Sequence, residues 1–257
     1  MQQEQQHYST VNLFRVFIPH ILGVTGAILW FLLVAQFFKE RLVLVAVISL
    51  PLYSLLFLTL VSLTPSKWLR ATPTNNQDAE IAFVFSFGYE MDGNQIKPGE
   101  ANLFLWKWIA HNKPLHLSTI LVQEGVWVAT DEETLKNLGI EKMRMHQHNP
   151  HIYVDTLNAT FCALQQIQKL DKKKILLVAH DLQLQRVAWD FERIGHVTCP
   201  DCVFVIPEIY NVPYPTNSIH FQTRNEFIYK IAELLIARPR DFLSQIPTKC
   251  NAPINFN

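Results

Sequence analysis

An α/β fold, a parallel sheet with helices on both faces behind a two-helix transmembrane hairpin, follows from three features of the sequence. The first is Asp155 to Gly195, which reads as helix, strand, loop and helix, the repeating unit of a parallel sheet. The second is an alternation of short apolar runs with helical patterns over most of the chain after residue 79. The third is a pair of apolar, charge-free runs, Val16 to Phe38 and Leu42 to Leu63.

Taken in order, residues 1–15 are polar and Gln-rich and read as a tail. Each apolar run that follows holds about 20 residues or slightly more, enough to cross a hydrocarbon core of about 30 Å as a helix. Only Lys39-Glu40-Arg41 separates the runs, so the spans form an antiparallel hairpin with both chain ends on one side. Two buried core helices would be the alternative, but soluble helices of that length carry a polar stripe. A cleavable signal peptide fits poorly, because the first run is long, lacks a basic leader and meets a second span at once. Lys39 and Arg41 in the loop are balanced by Arg15, Lys67 and Arg70 on the other side, so the charge rule leaves orientation open.

Residues 65–78, with Pro65, Pro73 and two Asn, read as a linker. The α/β domain is placed at 79–243. It opens with an apolar strand, Ile81 to Phe87, running into a turn from Gly88 to Gly93. Glu100 to His111 is predicted helical, Ser118 to Val122 a strand, and Asp131 to Leu138 a short helix stopped by Gly139. Met143 to His146 is a candidate strand. Asp155 caps a helix whose Leu157, Phe161, Leu164 and Ile167 recur at helical spacing. Ile175 to Ala179 is apolar without alternation, as in a strand covered on both faces. A helix follows with Leu184, Val187, Ala188, Phe191 and Ile194 on one face and Gly195 as its stop. Val203 to Ile206 is the last core strand. Gln222 to Ala237 closes the domain with Phe227, Ile228, Ile231, Leu234 and Leu235 facing inward, and 244–257 is a tail.

The chain holds 22 basic and 22 acidic residues, a balance that argues against a nucleic-acid partner, which needs a basic surface. Chemistry is expected at the carboxyl ends of the strands, where open α/β sheets bind ligands. His180, Asp181 and Arg186 form the sharpest constellation, an acid–base group beside a guanidinium able to clamp a phosphate or carboxylate. The alternative is a hydrogen-bonded histidine and an Asp capping the next helix. Gly88 and Gly93 either cradle an anion or simply turn the chain, and Asp155-Thr156 either borders a site or only caps its helix. His146, His148 and His151 suggest a metal, yet Asn149-Pro150 breaks any common face, which favours a solvated loop. Cys199 and Cys202, in C-x-x-C spacing, sit between a helix and a strand rather than at a helix start, which argues against redox catalysis; a local disulfide is open to them only if the domain faces an oxidising compartment. Cys162 and Cys250 stand alone in the sequence. Trp106, Trp108 and Trp127 are read as core, or as rings at a membrane interface.

Several of these motifs have a familiar order. Phe85-Ser86-Phe87-Gly88 with Asp92-Gly93, Val122-Gln123-Glu124-Gly125, Asp155-Thr156, Leu177-Val178-Ala179 leading into Gln183-Leu184-Gln185-Arg186, and Arg224-Asn225-Glu226 succeed one another. Together, over about Ala79 to Phe242, they resemble the DUF218, or YdcF-like, family, and the hairpin ahead of them is most like its membrane-anchored, ElyC-like members. The chain keeps one Gly in the first turn where the family has two or three, and has Glu124 where Gly is common. Asn158 and Ala159 stand where the family often has Glu and Asn, and Gln183 where it has His. The resemblance implies a Rossmann-like domain in bacterial cell-envelope biogenesis, anchored in the inner membrane with its soluble part on the periplasmic side. It implies an anionic, phosphorylated or lipid-linked ligand held by Gly88, Asp92, Glu124, Gly125, Asp155, Thr156, Asn158, Gln183 and Glu226, with His180, Asp181 and Arg186 carrying any chemistry. The remaining partner is the lipid bilayer. The residues name no cofactor and no metal. A non-enzymatic docking or sensing factor is the second expectation, and binding of S-adenosylmethionine or a nucleotide the third.

Overall fold

A computed structural model of the chain describes residues 64–74, 78–93, 95–145, 155–248 and 250, with short helical pieces between 25 and 59. The described residues fall into two compact units, Met1–Trp68 with Phe227–Leu243, and Leu69–Glu226 with Ser244–Asn257. Most of both apolar runs lies outside the described residues, as does the loop of His146, His148 and His151. Among the described residues no helix is long and apolar enough to cross a membrane. Those of the two runs that are described, including Thr25, Leu29, Leu32 and Gln36 in the first and Leu52, Leu55 and Leu56 in the second, are helical.

The larger unit is built on a five-stranded parallel sheet. Its strands are β1 (Ile81–Val84), β4 (Thr119–Val122), β5 (Glu141–Arg144), β6 (Lys174–Val178) and β7 (Val203–Val205). A separate antiparallel hairpin, β2 (Tyr89–Asp92) with β3 (Gln95–Pro98), leaves the end of β1, where the sequence suggested only a turn. The helices of this unit are α1 (Glu100–His111), α2 (Glu124–Trp127), α3 (Glu132–Leu138), α4 (Thr156–Lys169) and α5 (Leu184–Thr198); α6 (Glu226–Ala232), from Phe227 on, and α7 (Arg238–Leu243) belong to the other unit. The sheet order is β5-β4-β1-β6-β7. Without the hairpin this is the order 3-2-1-4-5 of doubly wound sheets.

β1 sits at the centre because it can be buried everywhere. Ile81, Ala82, Phe83 and Val84 are fully buried, and the strand pairs with β4 on one side and β6 on the other. Alternation sends Ile81, Phe83 and Phe85 to one face. There they join Ile175 and Leu177 of β6 and the apolar stripes of α4 (Leu157, Phe161, Leu164, Ile167) and α5 (Val187, Phe191, Ile194). The opposite face, Ala82, Val84, Ile120, Val122, Leu176 and Val178, is also fully buried, and α1 buries Ala101, Leu105 and Ile109. The helix periods read from the sequence thus find their strands.

Other elements also differ from expectation. β5 begins at Glu141, two residues before the candidate strand, directly after Gly139 ends α3 in a left-handed conformation (φ 62°). α5 runs through Gly195 to Thr198, because that glycine is helical and serves close packing instead of termination. A Cβ there would lie 2.5 Å from Cζ of Phe204, so the missing side chain lets α5 approach β7. Part of the expected linker belongs to the α/β unit as well. Leu69 is buried, and Thr74 exchanges hydrogen bonds of 2.8 Å with Ile206, its N–H donating to the carbonyl and its Oγ1 accepting from the amide.

The four cysteines form two bridges. Cys199 and Cys202 close the turn between α5 and β7, and Cys162 on α4 is joined to Cys250, 88 residues away, with Cα atoms 5.0 Å apart. A bridge across a loop of that length removes much chain entropy from the unfolded state. Cys250→Ala is expected to lose about 2–4 kcal/mol of unfolding free energy. Urea titration measures this, and excess reductant should bring the wild type toward the variant. Equal stability with and without reductant would show that the bridge contributes nothing.

Candidate functional site

All five parallel strands end at one edge. From β1 the connections run to β4 and β5 on one side, while β6 and β7 lie on the other, so the topological switch falls between β1 and β6. The residues that follow these two strands, Phe85 to Gly88 and Ala179 to Gln183, therefore meet at the centre of the edge.

Three rings fill that point. The His180 imidazole stacks on Phe87, with centroids 3.8 Å apart and 23° between planes, and tilts against Tyr214 at 4.6 Å. His180 is fully buried. Burial is the main cause that drives its pKa down to about 3, and a backbone hydrogen bond with Val212 and the charge of Glu226 oppose that only in part. The ring is therefore neutral at ordinary pH and a weak base. Nδ1 accepts from the Leu182 amide at 3.3 Å and lies 3.2 Å from Oδ1 of Asp181. Burial pushes the phenol of Tyr214 upward, so it too stays uncharged.

Asp181 is held by a residue from the start of the unit. Arg70 donates to Oδ2 from Nε at 3.0 Å and from a terminal nitrogen at 2.9 Å, and its guanidinium lies over the Tyr210 ring. The Asp181 carboxylate is buried while the Arg70 side chain is 31% exposed. Desolvation raises the Asp181 pKa, and the Arg70 charge and hydrogen bond pull it back. One end of this pair thus faces solvent.

A second polar network lies under the first turn. Asn102 Oδ1 accepts from the Phe87 amide at 2.9 Å, and its Nδ2 donates to the Gly88 carbonyl. Gln123 Oε1 accepts from the Ser86 amide at 2.8 Å. Gly88 is left-handed (φ 65°), and a Cβ on it would sit 2.5 Å from the hydroxyls of Ser218 and Thr223. Gly125, in the short α2, has no room either: a Cβ would lie 2.2 Å from Ser86 Oγ. Both glycines pack closely against the chain's own side chains.

Comparisons with protein-family models, with curated proteins and with solved structures return no match.

The remaining candidates from the sequence are distributed along the edge. Glu124 is buried at the start of α2 and is gripped by Nε and one terminal nitrogen of Arg144, the last residue of β5, whose guanidinium also lies over Trp127. Asp155 caps α4 by accepting from the Asn158 amide at 2.8 Å, and Thr156 and Asn158 are buried in the first turn. Gln183 is the N-cap residue of α5 but makes no side-chain cap, and its Oε1 accepts no hydrogen bond among the described residues. Arg186 is buried in the first turn of that helix. Glu226 is exposed, and its charge reaches His180 and Tyr214. Asp92 is exposed on the hairpin and pairs with Lys97 at 2.6 Å, outside both networks. Among the described residues no His, Cys, Asp and Glu gather as a metal set.

Sequence reasoning missed Arg70, Asn102, Arg144 and Tyr214. Asn102 had a signal, a polar residue on the same helical face as Leu105, Trp106 and Ile109. Arg70 was counted only as a charge flanking a span, and no local pattern ties it to Asp181, 111 residues away. Chemically, the edge offers partly exposed Arg70 and the starts of α4 and α5, and among the described residues its His180 is neutral and every cysteine is bridged.

Two outcomes are expected. Because the His180 pKa falls from 6.5 to about 3 on folding, the unfolded chain takes up a proton that the folded one refuses. The part of the stability that depends on neutral His180 is therefore complete above pH 6.5 and is lost as pH falls toward 3, at about 1.4 kcal/mol per pH unit. Asp181, raised on folding, contributes with the opposite sign, so the comparison is made against His180→Gln, whose unfolding free energy should fall less over that interval. Equal slopes would remove His180 as the source. Gly125→Ala is expected to cost about 1–3 kcal/mol through overpacking against Ser86 and Asn102, read by thermal unfolding.

Proposed function

We propose that the protein is a membrane-anchored α/β protein of bacterial cell-envelope biogenesis, akin to the DUF218 family, that binds an anionic or phosphorylated small molecule or lipid-linked precursor at the carboxyl edge of its sheet. One observation carries the reading. At the switch point, the start of α5 lacks a side-chain cap, has Arg186 in its first turn, and follows an Asp181 held by partly exposed Arg70. A helix start with cationic neighbours is suited to an anion. Anchoring is supported by the two apolar runs and by the outward-facing leucines Leu29, Leu32, Leu52, Leu55 and Leu56. Two disulfides favour an oxidising compartment, hence the periplasmic side.

A second reading, a docking or sensing factor without turnover, is favoured by the burial and neutrality of His180 within the aromatic stack. Both readings share the ligand and part over chemistry.

Inorganic pyrophosphate and a short polyprenyl phosphate, titrated into the full chain in detergent by calorimetry, test the proposal. Binding of at least one is expected. Arg70→Gln with Asp181→Asn, which keeps the buried pair neutral, should weaken it by about tenfold, the loss of one charge-assisted hydrogen bond. No binding of either probe, or full affinity in the double variant, overturns the assignment. If binding stands, release of phosphate from pyrophosphate or from the polyprenyl phosphate supports catalysis, and its absence supports the sensing factor.

A further inference from the structure

The segment from Glu226 to Leu243 is built inside out. It consists of α6, a π-helical turn over Glu233–Ala237, and α7. The sequence placed Phe227, Ile228, Ile231, Leu234 and Leu235 inward, but only Leu234 is fully buried, and Phe227 is 56% exposed. The inward face carries Tyr229, Lys230, Glu233, Arg238 and Asp241, all buried. There the Tyr229 hydroxyl donates to Glu233 Oε2 at 3.1 Å and Arg238 Nε donates to Glu233 Oε1 at 3.1 Å.

The outward face is apolar. Phe227, half-buried Ile231, Ile236 and Leu243 follow at steps of four, five and seven residues. A step of five closes one turn only where the helix is of the π type, which is where it falls. The same turn lets Glu233 and Arg238, also five apart, meet on the other side. Ile236 is 63% and Leu243 77% exposed. A helix bathed in water turns its charges out and its apolar stripe in. Single exposed hydrophobes need no explanation, but an aligned set opposite a buried charge cluster does.

The geometry points to a lipid surface as the partner of this face. From Phe227 on, the segment belongs to the same compact unit as the chain through Trp68, whose Leu29, Leu32, Leu52, Leu55 and Leu56 are 57–63% exposed. The apolar face is thus continuous in character with the anchor, and the inference rests on the anchoring reading above. Glu226, Lys230, Glu233, Arg238, Arg240 and Asp241 are too many charges for a span, so the helix lies in the interface with its apolar side toward the acyl chains. Arg240, 40% exposed near Leu243, can reach the lipid phosphates.

The test uses the full chain in nanodiscs of phosphatidylethanolamine and phosphatidylglycerol. Every native cysteine is bridged, so an introduced one takes a nitroxide label selectively. Phe227→Cys, Ile236→Cys and, as a marker of the anchor, Leu55→Cys are compared for relaxation by oxygen and by a water-soluble nickel chelate. Oxygen is expected to dominate several-fold at all three. Nickel dominating at both 227 and 236 while oxygen dominates at 55 overturns the inference and leaves the anchor standing. Nickel dominating at 55 overturns the anchoring reading. Poor access to both reagents at 227 and 236 means protein covers this face, and dipolar broadening would identify a second copy; either result overturns the lipid assignment. The two helix variants read one face independently, so the failure of either to fold leaves the other decisive.

Discussion

Everything in the larger unit depends on β1 being hydrogen-bonded on both sides and buried on both faces. A strand in that position must be apolar at every residue, and Ile-Ala-Phe-Val meets the condition. Once it is central, β4 and β5 extend the sheet one way and β6 and β7 the other. Phe85, at the end of β1, meets Phe83 edge-on with centroids 4.5 Å apart, and Phe191 of α5 packs against both, so the same aromatic cluster ties the strand to the helix that follows β6. The switch point between β1 and β6 is therefore a consequence of core packing before it is a site.

What occupies that point is a competition between burial and charge. The imidazole loses the charge that water would give it, because two aromatic rings and the segment around Val212 exclude solvent. Asp181, one residue on, is desolvated too, but Arg70 compensates from a position that still meets water. Neighbouring residues on one short loop thus have opposite fates: one is a neutral packing element, the other half of an ion pair open to solvent. Any anion that binds there meets Arg70 and the start of α5, with the histidine beneath them.

The segment from Glu226 to Leu243 shows how one irregular turn changes a surface. In a regular helix, Glu233 and Arg238 would diverge and the apolar residues would scatter. The π turn brings the charges together inside and leaves Phe227 and Ile236 exposed outside, with Ile231 half-buried between them.

The strands of the parallel sheet and most helices were legible because their signals are local: apolar runs without alternation, helical spacing, Asp131 and Asp155 as caps, and Gly139 as a left-handed stop. Glycine was read less well, since Gly195 and Gly125 are set by what lies across from them, Phe204 and Ser86. The site was half legible. His180, Asp181, Gln183 and Arg186 follow directly from a strand end, whereas Arg70, Asn102 and Arg144 reach the edge from distant elements. The sequence by itself determined which segments form the parallel sheet and most of its helices and that His180 stands where β6 ends, because periodicity and capping act over a few residues. Only the tertiary structure decided that this histidine is neutral, that Asp181 answers to Arg70, and that the last helix turns its apolar side outward, because burial and pairing depend on chain segments far apart in sequence.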